Sequence, residues 1–187
     1  SLNSTVGDGM FSDYGVDGIP RFFVNETKIN GGVYLNTLSN YNWVKGKADV
    51  FASAPVIAGA VLYGKSISGT TLTINTKVQF FEPQAAGEDY RLALYVVESG
   101  IISNQGISGG VDNSYQHHNL LRACNALDYK GEKINNNAAI TMDQILEESY
   151  TINLQSTWNT SNLKVIGVIW KVPVSGKATV VNSTLKK

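Results

Sequence analysis

Beyond its first third the chain alternates apolar and polar residues with a period of two. In Thr71–Phe81, Leu72, Ile74, Thr76, Val78 and Phe80 fall on one side and Thr71, Thr73, Asn75, Lys77 and Gln79 on the other. Successive strand side chains point to opposite faces, so this pattern describes a half-buried strand and leaves no room for a helix. Tyr90–Glu98 differs in being apolar on both sides, with Leu92, Leu94 and Val96 on one and Ala93, Tyr95 and Val97 on the other. Leu163–Val172 does the same through Val165, Ile166, Val168, Ile169 and Trp170. Both read as central strands with two covered faces. Pro55–Tyr63, Tyr115–Cys124, Tyr150–Gln155 and Ala178–Leu185 complete a set of about seven, separated for the most part by Gly and Asn turn signals such as Gly64–Lys65–Ser66 and Gly87–Glu88–Asp89.

Seven short strands without intervening helical periodicity predict a mainly β fold, an antiparallel β-sandwich of immunoglobulin-like size over residues 54–187. Its long connections are Ser99–Ser114, read as an ordered loop at one end of the sandwich, and Asn125–Glu147, whose Ile140–Glu148 stretch has room for a helical turn. Residues 1–50 are of another kind. Tyr14–Asn25 (YGVDGIPRFFVN) leads into a short apolar strand, Asn30–Gly31–Gly32 into a turn, and Tyr34–Val50 carries Leu35, Leu38 and Tyr41 at helical spacing. Such a ββα appendage has too little apolar surface to stand alone and is expected to dock on the sandwich or on something outside this chain.

Composition removes several function classes. The 187 residues carry 15 basic and 15 acidic side chains, so no basic stripe exists to follow a phosphate backbone or an anionic lipid surface. The apolar runs Ala54–Leu62 and Val165–Trp170 fall far short of the roughly 20 residues a spanning helix needs. A single cysteine, Cys124, excludes an internal disulfide or a two-cysteine redox or zinc motif within this chain and reads as a small, half-buried thiol. The first fifteen residues lack the basic start and apolar stretch of a secretory signal. Sequons at Asn3, Asn25, Asn159 and Asn182 are explained as well by the abundance of Asn, Ser and Thr as by glycosylation.

The residues that draw attention chemically are Glu98, Gln105, His117, His118 and Arg122. Alternation puts Glu98 on the inward face with Leu92, Leu94 and Val96, where a carboxylate costs several kcal/mol unless paired. Arg122 or a histidine from Tyr115–Cys124 is its expected partner, and the cluster is read as a brace at the sandwich end or as a binding site. His118, Leu120 and Arg122 share one face on simple alternation, making His118 the nearer histidine; adjacent strand residues point apart, so His117 and His118 are not expected to grip one ion. No metal and no cofactor is expected. Gly106–Ile107–Ser108–Gly109–Gly110 matches a nucleophile elbow in letters, but that device needs a strand, a strained turn and a helix, and here another strand follows. Of the tryptophans, Trp170 is expected in the core and Trp158, just before the Asn159–Asn162 turn, partly exposed.

The segments YRLALYVVESGIISNQ (Tyr90–Gln105), YQHHNLLRA (Tyr115–Ala123) and WNTSNLKVIGVIWK (Trp158–Lys171), in this order, resemble the β-sandwich of the 28-kilodalton outer-membrane protein family of Bacteroidetes. YGVDGIPRFFVN resembles the cis-proline strand of a thioredoxin-like domain, which makes Pro20 the candidate cis-proline of a truncated remnant. The resemblance implies an exported protein at the outer membrane, the periplasm or the cell surface, a noncatalytic binding or scaffolding module of adhesin or receptor type whose ligand is a protein or a glycan. A lipid anchor upstream of this chain fits the same picture. The alternative, from another class, is the C-terminal part of a thioredoxin-like, thiol-handling envelope protein whose active half lies outside this chain.

Overall fold

The computed structural model describes residues 5–15, 23–24, 27–28 and 38–186. Two antiparallel sheets stack face to face. The smaller has the order β10–β4–β3, from β3 (Ala58–Ser68), β4 (Thr71–Phe80) and β10 (Ile145–Asn153). The larger has the order β12–β11–β5–β8, from β5 (Asp89–Glu98), β8 (Leu120–Ala123), β11 (Leu163–Val172) and β12 (Thr179–Lys186), and β9 (Glu132–Lys133) also pairs with β5. The Asn182 amide of β12 donates to the Ala58 carbonyl of β3 at 2.9 Å, tying the two sheets together along one side. The fold is therefore an antiparallel β-sandwich, as the alternation predicts.

The core lies between the sheets. Leu72, Ile74, Thr76, Val78 and Phe80 of β4 are all at most 1% exposed and face Tyr90, Leu92, Leu94 and Val96 of β5, each fully buried. Phe80 meets Tyr90 edge-on at 5.0 Å between ring centres. Each such side chain contributes about 1.5–3 kcal/mol by leaving water, which makes this row the main source of stability. Tyr150, Ile152 and Leu154 close the core from β10.

A second apolar cluster covers the opposite face of the larger sheet. There Ala93, Tyr95, Val168 and Trp170 pack against Tyr129, Ala178 and two residues of α1 (Thr5–Asp13 helix and its exit turn), Val6 and Tyr14. The sequence reading placed no helix ahead of the hairpin, because nine residues with two glycines carry little helical signal. Docking holds the helix: the Tyr14 hydroxyl donates to the Ala178 carbonyl at 3.1 Å and Lys130 reaches Asp13 at 2.9 Å.

Several connections differ from expectation. Ten strands, β3 to β12, build the sandwich and its projections where about seven were counted. Ser99–Ser114 is no loop: β6 (Ile101–Ile107) and β7 (Gly110–His117) pair as a separate two-stranded hairpin. Its strands lack buried residues on either side, so no alternation marks them. Gly64 is not a turn either; with φ of 59° it sits at a register break inside β3, and the reversal comes at Gly69. Ile140–Glu148 forms no helical turn, since Ile145 already starts β10. In the first fifty residues, β1 (Phe23–Val24) pairs with β2 (Thr27–Lys28), and α2 (Leu38–Ser53) follows with residues 41–50 largely in solvent. Pro20 and the Asn30–Gly32 turn lie outside the described residues. Among the described residues no helix is long and apolar enough to cross a membrane.

Candidate functional site

Glu98 is the last residue of β5, opposite Leu163 of β11 and Leu120 of β8. It ends the inward row and is 5% exposed, so its carboxylate must find partners inside the protein. Oε1 accepts the Asn159 backbone N–H at 2.8 Å, and Oε2 faces the Arg122 Nε at 3.2 Å. Arg122 reaches it through an irregularity: β8 pairs Leu121 with Val97 and Ala123 with Val96, leaving Arg122 as an extra residue at a bulge. The Arg122 guanidinium in turn lies 4.8 Å from the centre of the Trp158 ring. Trp158 is only 8% exposed, in contrast to its expected partial exposure, because its ring backs this charge pair.

The segment that follows is fastened by its own side chain. Asn159 accepts the Ser161 N–H at 3.1 Å and so caps the short 3₁₀ turn Thr160–Asn162 that leads into β11. Four chain-distant pieces thus converge on one carboxylate: the end of β5, the bulge of β8, the Trp158–Asn159 corner and the start of β11. Sequence reasoning named Glu98 and Arg122 but missed Trp158 and Asn159. The available signal was their position just before β11, yet the adjacency of β11 to β5 is not written in either segment.

The histidines and Gln105 are placed differently. The strand expected over Tyr115–Cys124 is interrupted, because Asn119 has a φ of 54° and its N–H bonds the Ser99 hydroxyl at 3.0 Å. Alternation therefore does not carry from His118 to Arg122. His118 is exposed, whereas His117, at the end of β7, is half-buried with its Nε2 shielded and unpartnered, and its ring meets Tyr115 edge-on at 4.9 Å. The histidine with a sequestered nitrogen is thus His117 and not His118. The Gln105 amide bonds the neighbouring Gly106 carbonyl at 3.1 Å within the hairpin. Among the described residues no three His, Cys, Asp or Glu side chains are grouped to hold a metal ion.

Two other motifs resolve simply. Gly106 and Ile107 end β6, Ser108 and Gly109 make the turn and Gly110 opens β7, so the Gly-x-Ser-x-Gly run is a hairpin tip with no helix behind it. Cys124 is half-buried beside the second apolar cluster, and burial pushes its thiol pKa up, the opposite of what activates a nucleophile. The Asn159 and Asn182 side chains of two sequons are both engaged in structural hydrogen bonds.

No curated protein matches the chain. Among solved structures it is similar to HBP35 of Porphyromonas gingivalis, with a TM-score of 0.69 at 16% identity. That superposition covers 97% of this chain and 56% of the other, so the chain spans little more than half the length of its structural neighbour, and the likeness speaks for the fold alone. The model of the family described as outer membrane protein Omp28 matches residues 9–186. With nearly the whole sandwich inside that match, the chain belongs to the Omp28 outer membrane protein family and to the proteins of the outer membrane or cell surface.

Proposed function

We propose that this chain is a noncatalytic binding or scaffolding module of a cell-envelope protein. The observation that carries the reading is the inward commitment of the Glu98 cluster. Its carboxylate is taken up by the Asn159 N–H and Arg122, and Arg122 is backed by Trp158. A charge pair so enclosed supports a brace that joins β5, β8 and the entry to β11, with Gln105, His117 and His118 on or beside the hairpin it steadies. Membership of the outer membrane protein family supports the location, and the exposed hairpin and sheet faces are the surfaces available to a partner, whether protein or glycan. The alternative of a thiol-handling protein has less support from this chain, whose one thiol is held back from ionising by burial.

The test is binding of the purified, labelled chain to isolated envelope from the source bacterium. Saturable binding, competed by unlabelled chain and retained after Cys124→Ser, is the expected result. Binding that never saturates, or that is lost with the thiol, overturns the reading.

A further inference from the structure

The outer face of the β10–β4–β3 sheet points to a ligand class. The inner residues of these strands are core; the outer ones form rows across the three strands. Ser66, Thr73 and Thr151 make one row by register, with Thr71 beside Asn153 in the next. None of these side chains makes a hydrogen bond within the described residues, so their donors and acceptors are open to a ligand. Strand pitch sets the rows about 6.6–6.8 Å apart and the strands about 4.8 Å apart.

At the other end of the same face is a shallow apolar groove of about 230 Å³, floored by Gly59 and walled by Val61, Phe81 and Ile145, all three walls well exposed. It is smaller than the roughly 300–1,000 Å³ of a cofactor pocket and suits a single ring. A Cβ at Gly59 would stand 3.4 Å from the Phe81 ring, so the glycine leaves the ring's approach clear. Between groove and hydroxyl rows lie Lys77 and Glu147, paired at 2.9 Å, with the Tyr63 hydroxyl donating to Glu147 at 3.2 Å. The charges on this face thus cancel, and it complements a neutral partner, neither an anion nor a cation.

We propose that this face binds a neutral glycan, one sugar ring seated against Phe81 in the groove and the chain extending over the hydroxyl rows. Sugars present an apolar C–H face to an aromatic ring and a fringe of hydroxyls to short polar side chains, which is the pair of surfaces found here. The inference rests on the binding-module reading and names its ligand class.

The experiment is an amide-resolved NMR titration of the whole chain with maltohexaose, cellohexaose, xylohexaose and laminarihexaose, with a hyaluronan hexasaccharide as the charged control. At least one neutral oligosaccharide is expected to give saturable shifts confined to β3, β4 and β10, weakened roughly fivefold by Phe81→Ala and by a similar factor in Thr73→Val/Thr151→Val, substitutions that keep strand propensity. No saturable shift on this face, an unchanged affinity in Phe81→Ala with a native spectrum, preference for the charged control, or shifts that track protein concentration and so report a second copy would each overturn it. Should the chain still bind envelope saturably in that event, only the glycan assignment falls.

Discussion

The two faces of β5 are buried by different means. Toward the smaller sheet, Leu92, Leu94 and Val96 meet an apolar layer with no polar atom to satisfy except at the rim, where Glu98 sits. On the other face, Ala93 and Tyr95 are covered by α1, Tyr129 and Trp170, and the cover brings polar groups with it. The Trp170 indole N–H donates to the Tyr95 hydroxyl at 3.0 Å, and that hydroxyl donates on to the Tyr129 carbonyl. Burial accordingly pushes the Tyr95 and Tyr129 phenols far above their ordinary range. A sheet packed on a sheet needs only alternation, whereas a sheet covered by loop and helix needs each polar atom matched.

The largest effect should come where the cover approaches most closely. Gly131, at φ of 78°, lies over β5 so tightly that a Cβ would overlap the Leu92 carbonyl and the Ala93 backbone nitrogen. Gly131→Ala is expected to cost more than about 4 kcal/mol in chemical denaturation, because backbone on both sides would have to part. An unchanged midpoint would show that the outer cover is not in this contact. Glu98→Ala at the inner rim leaves Arg122 facing no carboxylate and should cost about 3–5 kcal/mol, with Glu98→Gln recovering part of it through the Asn159 bond. If Glu98→Ala melts with the parent protein, the brace is an illusion.

The faces themselves are compared by a pair of substitutions. Leu94→Ala opens a cavity in the purely apolar layer and should cost about 2–5 kcal/mol. Tyr95→Phe keeps the packing and deletes one hydroxyl, so about 1–3 kcal/mol is expected from the Trp170 N–H and Tyr129 carbonyl left without it. Equal losses would mean that the outer face relies on shape rather than hydrogen bonding.

The smallest effect is acid sensitivity at the start of β5. Burial alone would raise the Asp89 carboxyl, but Arg91 at 2.9 Å and Lys133 at 3.4 Å outweigh it and hold its pKa below the ordinary 3.8. A carboxylate depressed in the folded state stabilises above its unfolded pKa, and the contribution is lost as pH falls through the folded value. Asp89→Asn should therefore lower the melting temperature near neutrality and flatten its decline below about pH 4. A variant with the same acid slope as the parent protein would assign that slope to other carboxylates.

Much of the architecture was legible residue by residue. Thr71–Phe81 announced its buried face, Tyr90–Glu98 and Leu163–Val172 announced two, and Glu98 stood out as a carboxylate in an apolar row. These statements depend only on side-chain direction along a strand, which is local geometry. The β6–β7 hairpin was not legible, because strands with neither face buried carry no alternation, and the choice of His118 failed because one left-handed Asn119 resets the direction of everything after it.

Local chemistry by itself determined that the chain is a sandwich with apolar layers and one inward carboxylate. Which elements stand beside that carboxylate was decided only by the assembled sheets: the β8 bulge that delivers Arg122, the corner that brings Trp158 and Asn159, and the helix that covers the outer face of β5. The reason is that these contacts join residues 25 to 160 positions apart, and sheet order, unlike face, is set by the packing of whole elements.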